Sequence, residues 1–91
     1  MPKSLSEMTV EEIVEDFNDF AMYQVLKESR KRYKIKDMQL NDVFTVKKKD
    51  WYEKIIAYWL EESFIMDELS FEELSGVYNM LDTLEKAVNN A

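Results

Sequence analysis

Neither histidine nor cysteine occurs in the 91 residues, which removes the usual general base, the strongest nucleophile and thiolate metal ligands together. The single glycine, Gly76, belongs to no phosphate-binding loop, and the acidic stretches lack the ligand spacing of a calcium loop. The residues therefore point to no catalytic, cofactor or metal site, and to a non-enzymatic protein. What remains with chemical reach is charge, and it is sorted by position. Residues 1–26 carry one base against six acids, residues 27–49 nine against three, and residues 50–91 two against ten, so the net −7 is −5, +6 and −8 laid end to end.

The basic island comprises Lys27, Arg30, Lys31, Arg32, Lys34 and Lys36, then Lys47, Lys48 and Lys49, with Tyr33 interleaved. Cations with an aromatic among them suit a nucleic-acid backbone and a stacked base. The structural alternative is that these bases complement the C-terminal dipole of a helix whose other end holds Glu11, Glu12, Glu15 and Asp16. A helix over 37–44 followed by one starting near Lys47 would have helix-turn-helix spacing, but the second would continue as Trp, Tyr, Ile and Ile instead of base-reading polar residues.

The second charged constellation is Glu61, Glu62, Asp67, Glu68, Glu72 and Glu73, dense enough to dock on a basic partner. It borders a segment in which Trp51, Tyr52, Ile55, Ile56, Tyr58, Trp59, Leu60, Phe64, Ile65 and Met66 cover most of a helical circumference. A helix apolar nearly all round is either the centre of the core or shared with something outside the monomer. With Tyr52, Ile55, Ile56 and Trp59 as the inward seam, Trp51, Tyr58 and Phe64 are the expected protein-interface anchors, and Glu61, Glu62, Glu68 and Glu72 their rim.

The elements that would carry these groups read as helices. Thr9 with Glu12, and Ser70 with Glu73, each form a capping box, flanked by the staples Met8/Ile13 and Leu69/Leu74. Val10, Ile13, Val14, Phe17, Phe20, Ala21 and Val25 share one helical face, as do Leu74, Val77, Tyr78, Leu81, Leu84 and Val88. The expected fold is a single all-α domain, a small three- to four-helix bundle with long helices about 9–33, 50–66 and 70–89. Residues 34–46 read as a short helix over Asp37 to Phe44, or as a hairpin pairing Lys34-Ile35-Lys36 with Val43-Phe44-Thr45-Val46. Residues 1–7 read as a flexible tail.

A hydrophobic share of 46% with one proline argues for an ordered chain. The lack of cysteine fits a reducing compartment, hence the cytoplasm. The start of the chain reads as neither signal peptide nor membrane span, and no apolar run approaches bilayer length. The function expected first is a regulatory or inhibitory module that binds another protein through the aromatic helix face and its charged rim. The alternatives are nucleic-acid binding by segment 27–49, through Lys27, Arg30, Lys31, Arg32, Lys34, Lys47, Lys48 and Lys49, and homo-oligomerisation without another partner. A membrane partner is not expected.

Overall fold

Helix α1 (Val10–Ala21) begins where the capping box places it, with Glu12 N–H donating to Thr9 Oγ1 at 3.3 Å and Thr9 N–H to Glu12 Oε1 at 3.1 Å. This is a computed structural model, and it describes residues 7–61 and 67–91. The helix buries Ile13, Val14 and Phe17, but it does not continue toward residue 33. It stops at Met22, which adopts the left-handed conformation at φ 62° and turns its N–H back to the carbonyls of Asn18 and Asp19. Met22 C=O then accepts from Met38 N–H at 3.0 Å, so the exit from the helix is tied to a distant segment.

From there the chain forms three strands, β1 (Tyr23–Glu28), β2 (Arg32–Asp37) and β3 (Asp42–Lys47), in one antiparallel sheet of order β1-β2-β3. The fold is therefore α+β and not an all-α helix bundle. The expected short helix over 37–44 is replaced by a turn. The Asp37 carboxylate accepts from the N–H groups of Gln39 and Leu40 at 2.9 and 3.2 Å, and Asn41 takes the left-handed conformation that asparagine tolerates. Ile35 faces Phe44 across the pair, with Lys34 opposite Thr45 and Lys36 opposite Val43, the pairing of the hairpin alternative. A lone hairpin is marginal in water; β1 supplies the third strand that makes this one persist.

Helix α2 (Lys48–Glu61) follows β3 directly, and α3 (Phe71–Asn90) starts at the second capping box, whose two hydrogen bonds are each 3.2 Å. The helices cover one face of the sheet. Tyr33 and Ile35 project from β2 into a core with Ile13, Val14 and Phe17 of α1, Trp51, Tyr52 and Ile55 of α2, and Val77, Met80, Leu81 and Leu84 of α3. Along α3 the buried stripe takes in Met80, whereas Tyr78, expected inside, is exposed. The expected end of the middle helix at 62–66 and residues 1–6 of the expected tail lie outside the described residues; Glu7 is exposed. Among the described residues, no helix is long and apolar enough to cross a membrane.

Candidate nucleic-acid interface

Alternation along the strands sorts the sheet's side chains by chemistry. Tyr33 and Ile35 are buried against the helices, so Arg32, Lys34 and Lys36 project from the other side, at about 6.6–6.8 Å intervals for alternate residues of a strand. Across the ladders Arg32 faces Lys47, Lys34 faces Lys27 and Thr45, and Lys36 faces Gln24 and Val43. The side of the sheet away from the helices thus carries Lys27, Arg32, Lys34, Lys36 and Lys47, with Gln24, Val43 and Thr45 between them. It holds no carboxylate and no aromatic ring.

Two details define the arrangement of this face. Lys27 opposite Lys34, and Arg32 opposite Lys47, are direct cross-strand pairs of like charge, each of which costs stability. Lys27 reaches its place through a β-bulge, since the register slips by one residue between Val25 and Lys27. Without the slip, Lys27 would sit opposite Tyr33 and turn toward the helices. With it, Glu28 takes the place opposite Tyr33 and lies within reach of α2.

At the end of the sheet the positive surface continues around the corner. The β1–β2 turn is closed by Ser29 N–H to Arg32 C=O at 2.9 Å and by Arg32 N–H to Ser29 Oγ at 3.2 Å, leaving Arg30 and Lys31 exposed at its tip. Lys48 N–H donates to Lys31 C=O at 2.8 Å, which brings Lys47, Lys48 and Lys49 beside that tip. Together they line a hollow of about 990 Å³, shared with Tyr52, Glu11 and the last residues of α3. The C-terminal end of α3, where helix carbonyls are unpaired, offsets part of this charge.

Lys48 differs from its neighbours. Its Nζ lies 2.6 Å from Glu28 Oε2 and 5.1 Å from the centre of the Tyr33 ring, which makes it a structural lysine. Tyr33 is buried, and that burial, with its side-chain hydrogen bond to Tyr52, holds the phenol well above its ordinary pKa. The ring expected to stack on a nucleic-acid base is thus committed to the core. The bases also do not cap a helix: α1 ends at Ala21 with no basic residue in its last turn, and residues 27–36 are strand and turn.

The expected protein-interface residues are placed unequally. Trp51 is only 2% exposed and belongs to the core, its Nε1–H donating to Asn18 Oδ1 at 2.9 Å and its ring packed on Phe17, Tyr23 and Phe44. Tyr58 is half-buried, 5.5 Å from Phe17 and 5.9 Å from Phe20 between ring centres. Glu61, Glu68 and Glu72 are exposed; Glu62 and Phe64 lie outside the described residues. Sequence reasoning missed the exposure of Phe20 at 70% and the bulge that redirects Lys27. The period-two pattern Arg-Tyr-Lys-Ile-Lys at 32–36 was the available signal for the basic face. Comparison of the chain with protein-family models, with curated proteins and with solved structures found no match.

Proposed function

We propose that the protein is a non-enzymatic binding module that grips a nucleic-acid duplex by its phosphate backbone through the open face of the sheet. The observation that carries this reading is the gathering of Lys27, Arg32, Lys34, Lys36 and Lys47 on one carboxylate-free face of a chain whose net charge is −7. Two cross-strand like-charge pairs are unfavourable in the free protein and are relieved when phosphates lie over them. The turn lysines and Arg30 extend the same surface around the end of the sheet.

A duplex suits this face better than a single strand. Single-strand grooves interleave cations with exposed rings on which bases stack, and this face has no ring. Phosphate contacts position without reading sequence, so the binding is expected to be largely sequence-independent. Apart from Glu11 at the edge of the hollow, the carboxylates of the helices lie on the opposite layer, where they repel the duplex and orient the approach.

The test is fluorescence anisotropy of a labelled mixed-sequence duplex over a salt series. With about five phosphates neutralised, log K is expected to fall against log salt with a slope of about −4 to −5. Replacing Lys27, Arg32, Lys34 and Lys47 together with Gln is expected to abolish the binding and leave the fold intact by circular dichroism. Absence of any complex at about 20 mM salt, where counterion release is most favourable, would sink this reading.

A further inference from the structure

On the helical side, Phe17, Phe20, Tyr58, Trp59 and Met80 line an apolar groove of about 350 Å³ between α1, α2 and α3. Phe20 is 70% exposed at its lip, one helical turn beyond the buried Phe17, and Tyr58 and Trp59 form its wall. The volume is that of a small ligand pocket, enough for one or two large side chains. Charge around it has a single sign on α1. Asp16 lines the groove itself, and α1 contains no base. Glu61 lies one turn beyond Tyr58 at the end of α2.

We infer that this groove is a docking site for a segment of another protein that inserts a bulky apolar side chain flanked by lysine or arginine. An apolar pocket with Asp16 at its edge selects that combination: the ring contacts provide affinity, and the carboxylate selects the flanks and rejects acidic ones. The same rule disfavours the most exposed apolar side chains of a second copy of this chain. Among the described residues, its most exposed large apolar side chains elsewhere are Phe71 at 85% and Leu40 at 77%. Phe71 is followed by Glu72 and Glu73, and Leu40 sits between Asp37 and Asp42, so each would bring acids against Asp16. The inference is independent of the duplex reading, because it uses the opposite layer and none of the sheet's bases.

The experiment titrates the full chain with three synthetic amphipathic helical peptides of identical apolar face, whose polar positions are all Lys, all Ser or all Glu. Binding is read from the emission of Trp59, since Trp51 is already buried and contributes a constant signal. The Lys peptide is expected to shift the emission to the blue and bind at least about tenfold more tightly than the Glu peptide, the effect of one or two complementary charge pairs. Phe20→Ala is expected to weaken the Lys peptide about tenfold, and Asp16→Lys to reverse the order of the Lys and Glu peptides. Both positions are exposed, so both variants should fold, which circular dichroism checks. Equal binding of the Lys and Glu peptides, indifference to Phe20→Ala, or no binding at all would each overturn the assignment. So would a dimer in sedimentation velocity that Phe20→Ala dissolves, because the groove would then belong to a second copy. Loss of peptide binding leaves duplex binding untouched, and the four-residue Gln variant of the sheet leaves peptide binding untouched.

Discussion

The two layers of this molecule treat their polar groups in opposite ways. In the helical layer the decisive polar group is inside: Asn18, 4% exposed, meets the indole N–H of Trp51 at 2.9 Å, so a buried donor and acceptor satisfy each other. On the open side of the sheet, polar groups are held out and, among the described residues, left without an ion-pair partner, with like charges face to face. The first arrangement contributes to stability and the second detracts from it. A surface that keeps an unfavourable arrangement is where a ligand has something to relieve, whereas a satisfied buried pair has nothing left to offer a partner.

The largest effect that can break this contrast is in the core. Asn18→Ala strands the Trp51 N–H in the interior and is expected to cost about 1–3 kcal/mol in urea unfolding, with duplex affinity unchanged at temperatures where the variant is folded. An unaltered urea midpoint would mean that the buried pair does not hold α1 to α2.

Alkaline pH tests the seam between the layers, where Tyr33 of the sheet lies against the helices. Its pKa is raised on folding, first by burial and then by the hydrogen bond with Tyr52. Above about pH 10 the unfolded chain releases this proton and the folded one keeps it, so stability falls by up to about 1.4 kcal/mol per pH unit from this group. Below that pH the contribution is constant. Tyr33→Phe is expected to show a shallower alkaline decline than the wild type; parallel curves would show that the phenol titrates alike in both states.

The smallest effect in stability is the most telling for the sheet. Lys34→Gln removes one like-charge pairing with Lys27 and is expected to raise stability by about 0.2–1 kcal/mol. The same change should weaken duplex binding and flatten the salt slope by about one unit. A variant that lost stability instead would make Lys34 a structural residue, and the two layers would no longer differ in kind.

Both helix starts with capping boxes were legible because each is a local exchange of hydrogen bonds between residues three apart. Most of the stripe of α3 was legible for a similar reason, with Val77, Leu81 and Leu84 buried as their spacing implies. The end of α1 was not. Neither glycine nor proline marks it, and Met22 is held in its left-handed conformation by a capped helix end on one side and a hydrogen bond from Met38 on the other. Helical spacing read past Ala21 to residue 33 runs twelve residues beyond the true end and covers the strands that follow, which is why the sequence reads as all-α.

The candidate surfaces divide in the same way. Trp51 looked like an anchor because its helix has more apolar residues than one face can bury, yet the sheet supplies the extra surface that encloses it. The basic island was visible as composition, but its meaning depended on period. At helical spacing its bases would scatter or gather at a terminus; at strand spacing Arg32, Lys34 and Lys36 align on one side.

From its sequence alone, this chain determined the segregation of charge, the helix starts and the absence of His and Cys chemistry, because these are properties of residue type or of contacts within one turn. Tertiary structure alone decided that residues 23–47 form a sheet, that Trp51 is enclosed, and that Lys47 stands opposite Arg32. Those outcomes rest on pairings between residues many positions apart, and on a one-residue bulge that turns Lys27 from one face to the other. Local propensity carries no information about which strand a strand will find, so the surface that sorts this protein's cations exists only once the strands have met.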